Sequence, residues 1–166
     1  MQNWAFHLRS YLGGDDYQDG YYLNRYVLES DEEYVKRLGF TALDNHCRNV
    51  VQIYSSFLFR VQPTRNYGSL EEQFLKDADL EGRSFANVIK EMQVHASVYG
   101  NCWAIIDKPD TNTETRAQEL QQDIRPYISL YTPENIPNWK FERAPNGKFY
   151  LTELTVIESL QNDTAI

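Results

Sequence analysis

The chain of 166 residues has the length of one domain, and its 42% hydrophobic and 14% aromatic content excludes disorder and collagen-like repeats. Sixteen Lys and Arg against 24 Asp and Glu leave a net charge of -8, which disfavours free wrapping of DNA, because affinity for a phosphate backbone comes mainly from cations displacing counterions. The basic residues are scattered among carboxylates, as in residues 32–37, and form no basic patch.

In chain order, residues 1–28 make an N-terminal arm rich in aromatics and glycine, with Trp4, Phe6, Tyr11, Tyr17, Tyr21, Tyr22 and Tyr26 around Gly13, Gly14 and Gly20. An ordered loop or arm is expected. Each such ring buries about 150 to 250 Å² when packed, so the arm should lie on its own domain or on a neighbouring subunit. From residue 29 to 158 the pattern is that of an α+β domain: N-terminal helices, then a small mixed or antiparallel sheet with a C-terminal β-hairpin. Ser30 and Glu33 have the spacing of a capping box, and Gly39 marks a stop. A helix is expected over residues 41–59, where Leu43, Cys47, Val50, Val51, Tyr54 and Leu58 form an apolar stripe that should face the core. A polar connection over residues 69–73 leads to a third helix over residues 84–98, whose inner face is Phe85, Val88, Ile89, Met92 and Ala96.

Gly100 closes the helical half. Residues 102–107 read as a buried strand, residues 110–124 as an exposed loop with room for a short helix, and residues 125–131 as a second strand. Residues 139–143 and 149–158 are the two strands of a hairpin joined across Asn146-Gly147. The tail over residues 159–166 has no element to return it to the sheet, which is the pattern of a truncation point or a frayed end.

Chemistry is sparse. No glycine sits in a phosphate-binding strand-to-helix turn. His95 and Glu91 stand one helical turn apart, which suits a surface ion pair better than a metal site. His46 and Cys47 are adjacent on a helix and therefore do not face each other. Asp15, Asp16 and the acidic residues 29–33 lack the spacing of a calcium loop, and Asp31, Glu32 and Glu33 already have a reason to be at a helix N-terminus, where the dipole favours carboxylates. Cys47 and Cys102 are expected as small buried side chains in a reducing compartment. Neither a secretory leader nor a run of about 18 apolar residues is visible, so a soluble intracellular protein is expected. No catalytic, cofactor-binding or metal-ligating set is predicted.

Three stretches, EEYVKRLGFTALDNHCRNVVQIYSSFLFR, HASVYGNCWAIIDKP and RPYISLYTPENIPNWKFER with the NGK turn after it, together resemble the N-terminal wing portion of tailed-bacteriophage portal proteins. The matching positions are Glu33, Tyr34 and Arg37 in the first helical segment, then Gly100 leading into a strand that ends at Asp107 and Pro109. The third set is Tyr131, Glu134, Asn135, Ile136 and Trp139. The resemblance implies a structural subunit, without catalytic residues or cofactor, of a homo-oligomeric ring, usually a dodecamer, at the capsid vertex of the virion. This head-tail connector is assembled in the host cytoplasm, and DNA passes through it during packaging and ejection without sequence-specific binding. Its implied partners are the major capsid protein, the terminase large subunit and neck or adaptor proteins, with no membrane. Family members run to several hundred residues, so stem, clip and crown would be expected to follow this chain. On this reading Trp4, Tyr11, Tyr21 and Tyr22 become candidate subunit or capsid contacts. The alternatives are an unrelated intracellular protein-interaction domain, monomeric with one apolar groove, and a small enzyme with convergent polar groups in one pocket.

Overall fold

The computed structural model describes residues 3–41, 44–64, 69–109 and 115–158. Their order is α1 (Trp4–Leu12), α2 (Gly14–Gln18), α3 (Asp31–Phe40), α4 (His46–Leu58), α5 (Ser69–Lys76), α6 (Phe85–Tyr99), β1 (Trp103–Asp107), α7 (Arg116–Gln121), β2 (Tyr127–Tyr131), a 3-10 turn (Pro133–Asn135), β3 (Asn138–Arg143) and β4 (Phe149–Thr155). The fold is α+β. Its strands form two separate antiparallel pairs, β1 with β2 and β3 with β4.

Helix boundaries follow local capping chemistry. The Ser30 side chain accepts from the Glu33 N–H while Glu33 accepts from the Ser30 N–H, completing the expected capping box of α3. Asn45 caps α4 by accepting from the Arg48 N–H at 2.9 Å, and Ser84 caps α6. Gly100 ends α6 at φ 86°, a left-handed conformation that costs a residue with a Cβ but not glycine. The helix α3 runs to Phe40, one residue beyond Gly39.

Several expectations are corrected. The N-terminal segment expected as a loop or arm contains α1 and α2, and α1 packs on α4 and α6. Asn3 starts α1 by accepting from the Phe6 N–H, a cap masked in the sequence by the surrounding aromatics. The polar connection at residues 69–73 belongs to α5. The strand at residues 102–107 begins at Trp103 and is only partly covered: Trp103 and Ile105 on one face are half-buried, whereas Ala104 and Ile106 on the other are exposed, because successive side chains of a strand point to opposite faces and one face of this sheet is open. The loop before β2 does carry a short helix, α7. Leu43 and the tail over residues 159–166 lie outside the described residues.

The largest correction concerns α4. Its expected core stripe is mostly turned outward: Val50, Tyr54 and Leu58 are exposed, as is Cys47. The side facing the chain carries Arg48, Val51 and Ser55. The physical reason is polar. Arg48 donates to the carbonyl of Tyr11 at 3.1 Å and to that of Leu12 at 2.5 Å, and Asn45 Nδ2 donates to the Tyr11 carbonyl at 2.8 Å. These bonds satisfy carbonyls left open at the end of α1 and fix which side of α4 faces inward.

The core lies between α5, α6 and β2, where Ala78, Val88 and Ile128 are buried and Phe74, Phe85 and Leu130 pack around them. The Ile128 N–H donates to the Ala78 carbonyl at 2.8 Å, attaching the loop after α5 to β2. The loop itself is folded about the Asp79 carboxylate, which accepts from the N–H groups of Glu81 and Arg83 and from the Arg83 guanidinium. Burial opposes ionisation of Asp79, but these donors outweigh it and hold its pKa at about 2.

Candidate functional site

The four aromatic contacts predicted in the N-terminal segment are dispersed. Tyr22 packs edge-on against Phe6, with ring centroids 4.8 Å apart, and beside Tyr17 at 5.2 Å. Tyr11 lies beneath the Arg48 guanidinium, 5.6 Å from its centroid. Both are half-buried, as is Trp4. Tyr21, held at φ 51°, is 61% exposed and stacks on Tyr34.

The first set of family-like positions forms a clamp. Arg37 holds Glu29 through two bonds of 2.7 Å each, donates to the Asn24 carbonyl at 2.8 Å, and places its guanidinium 4.5 Å from the Tyr26 centroid. The Arg37 bonds lower the Glu29 pKa to about 2 against the opposing effect of burial. Tyr34 donates to the Leu23 carbonyl at 2.9 Å, and Glu33 caps α3. Together these bonds tie residues 21–29 onto α3. They border a cleft of about 500 Å³ whose walls include Tyr17, Tyr22, Tyr26 and Arg37. Arg37 is already engaged by Glu29.

The remaining family-like positions also fasten elements. Asp107 ends β1 and accepts from the Lys108 N–H, with Pro109 two residues on. Asn135 and Ile157 exchange two hydrogen bonds: the Ile157 N–H donates to the Asn135 carbonyl at 2.7 Å, and Asn135 Nδ2 donates to the Ile157 carbonyl at 3.1 Å. Tyr131 donates to Glu158, and Ile136 is fully buried. Burial first, then the nearby Glu134 carboxylate, push the Tyr99 pKa up to about 12. Trp139 leans on Trp103 with centroids 5.4 Å apart. The sequence motif at residues 131–139 thus attaches the β3–β4 hairpin to the end of β2.

A second cleft, of about 470 Å³, is lined by Phe74, Ile106, Lys108, Glu119, Ile124 and Arg125 among others. Lys108 pairs with Glu119 at 2.5 Å and Arg125 with Asp77 at 2.6 Å. Among the described residues no three His, Cys, Asp or Glu converge as a metal site. His95 faces Glu91 at 3.6 Å, and Glu91 is also bound by Arg83. His46 pairs with Asp44 in an exposed position. Cys47 is exposed rather than buried, and Cys102 is half-buried with its thiol pKa raised by burial and then by Glu91. Burial thus makes the Cys102 thiolate, the nucleophilic form, harder to form.

The surface carries the larger signal. Two amphipathic faces stand out. On α4, Val50, Ile53, Tyr54, Phe57 and Leu58 are all more than half exposed. On the hairpin, cross-strand pairing puts Trp139 opposite Leu154, Phe141 opposite Leu151 and Arg143 opposite Phe149. Opposed residues share a face, so these make one apolar side, while Lys140 with Glu153 and Glu142 with Tyr150 make the other. Phe141, Phe149 and Leu151 were not singled out from sequence. Their alternation with Lys140, Glu142 and Tyr150 was the available signal. Among the described residues no helix is long and apolar enough to cross a membrane. No known family model matches the chain, and no curated protein is significantly similar to it.

Proposed function

We propose that the chain is a structural subunit of a phage portal ring, the head-tail connector at the capsid vertex through which DNA is packaged and ejected. The observation that carries the proposal is the pair of uncovered apolar faces on α4 and on the β3–β4 hairpin. A monomer gains nothing from leaving such surface in water, whereas a subunit covers it on assembly. The residues that resemble portal motifs supply the identity of the assembly. Here they act as fasteners between elements, which suits a structural part better than a reacting one.

On this reading the partners are further copies of the chain, about a dozen in the ring, together with the major capsid protein, the terminase large subunit and neck or adaptor proteins. The chain acts without a cofactor and without catalysis of its own, in the virion and, during assembly, in the host cytoplasm. Its net charge of -8 suits a channel component past which DNA slides, because a carboxylate-rich wall repels phosphate. Negative-stain electron microscopy of the full-length gene product tests the proposal. Closed rings with a central opening are the expected result. Single particles at micromolar concentration, with no ring, would point to the unrelated interaction domain instead.

A further inference from the structure

Among the asparagines of the chain, Asn146 alone is followed by glycine. It stands at the tip of the β3–β4 hairpin, where Pro145, Asn146, Gly147 and Lys148 are all exposed. The backbone nitrogen that follows an asparagine can close a five-membered ring on the side-chain carbonyl carbon, Cγ. A Cβ on that following residue crowds the approach, and Gly147 has none.

Two hydrogen bonds in the turn act on the two reacting groups. The Lys148 N–H donates to Asn146 Oδ1 at 3.1 Å, so a donor already sits on the oxygen that takes negative charge when Cγ is attacked. The Gly147 N–H donates to the Ala144 carbonyl at 2.8 Å, which holds the attacking nitrogen in the turn. Asn146 is the second central residue of this turn, a position that a type I turn keeps at ψ of about 0°. Arg143 Nε adds a bond across the same turn, to the Gly147 carbonyl at 3.2 Å. Ring closure needs rotation about the Asn146 Cα–C bond, so the turn must open before the nitrogen can reach Cγ.

We infer that Asn146 is a site of spontaneous deamidation, gated by opening of the turn at residues 144–147, which converts the hairpin tip to aspartate and isoaspartate. Hydroxide removes the Gly147 N–H proton, and the nitrogen attacks Cγ of Asn146. The N–Cγ bond forms, the Cγ–Nδ2 bond breaks, and Nδ2 leaves as ammonia with a proton taken from water. Water then opens the succinimide. Cleavage between Cγ and the ring nitrogen gives aspartate. Cleavage on the main-chain carbonyl side gives isoaspartate, whose backbone runs through the side chain and is one atom longer. The net change is amide and water to acid and ammonia, with no oxidant or reductant. Either product places a negative charge beside Arg143 and Lys148, and the longer isoaspartyl backbone no longer fits the four-residue turn.

Incubation of the full chain at mildly alkaline pH, followed by peptide mapping and isoaspartate detection, tests the site. Each time point is corrected for the sample at zero time, and a parallel sample is kept unfolded in guanidinium chloride. Conversion at Asn146 is expected to outpace that at every other asparagine. It should be about fivefold or more slower in the folded than in the unfolded chain, the worth of the Gly147 hydrogen bond. Pro145→Ala, which loosens the turn, should bring the folded rate about two- to fivefold nearer the unfolded one. Equal rates in folded and unfolded wild type overturn the gating. An amide still intact at Asn146 in the folded chain, after the unfolded sample has converted and other asparagines have begun to, overturns the site.

Discussion

Asp79 and Ser55 are the two polar side chains buried among the described residues, and they differ in how their polar atoms are served. Asp79 accepts from two backbone N–H groups and a guanidinium. Its pKa is held at about 2, below the ordinary 3.8, so the folded state binds its proton less readily than the unfolded state. The stability this contributes is present above about pH 4 and is lost as pH falls towards 2. Thermal unfolding followed between pH 5 and pH 2 should show this loss, and Asp79→Ala, which leaves the three donors unpaired, should remove about 2 kcal/mol at pH 7 and flatten the acid limb. Ser55 Oγ has no hydrogen-bond partner. Since an unsatisfied buried hydroxyl costs free energy and alanine is the better helix former, Ser55→Ala should stabilise the chain by about 1 kcal/mol in urea unfolding. A destabilised variant would show that the hydroxyl is served after all.

At the scale of elements, what was legible in the sequence was what local chemistry determines. The Ser30-Glu33 box, the Gly100 stop, the α6 core face around Val88 and the hairpin across Asn146-Gly147 could all be read from residue spacing. The turn differs in type from a two-residue Asn-Gly hairpin. Gly147 takes φ 82° and its N–H donates to the Ala144 carbonyl, a type I turn with Pro145 at its second position, where the fixed φ of proline fits.

What was not legible depended on tertiary choices. The outward rotation of α4 is set by bonds from Arg48 and Asn45 to carbonyls more than thirty residues away, and periodicity alone cannot tell which side of an apolar helix finds its partner within the chain. The hairpin's apolar side was obscured in a similar way, because Leu151 and Leu154 are three apart and fall on opposite faces of a regular strand. The register shift opposite Lys140 and Phe141 returns them to one face, with Thr152 as the extra residue, its hydroxyl donating to the Lys140 carbonyl at 3.0 Å. Deletion of Thr152 should therefore leave regular pairing and the same apolar face, at a cost of about 1 kcal/mol for the lost bond. Unchanged circular dichroism with a small fall in Tm is expected, and loss of the fold would contradict this account of the bulge.

For the whole molecule, a small core and a broad apolar surface belong together. The buried hydrophobic residues are Ala78, Val88, Tyr99, Ile128 and Ile136 among the described residues, while most of the large apolar side chains on α4 and the hairpin remain in water. Full burial of one such side chain is worth about 1.5 to 3 kcal/mol, so covering both faces would add an amount comparable with the 5 to 15 kcal/mol that usually holds a domain together. On the proposed reading, assembly and folding stability would be coupled, as expected of a structural ring subunit. The most direct test of that central claim is the native mass of the full-length gene product at micromolar concentration. The account predicts a single closed species of about a dozen chain masses. A mass equal to one chain, unchanged on raising the concentration tenfold, would contradict it.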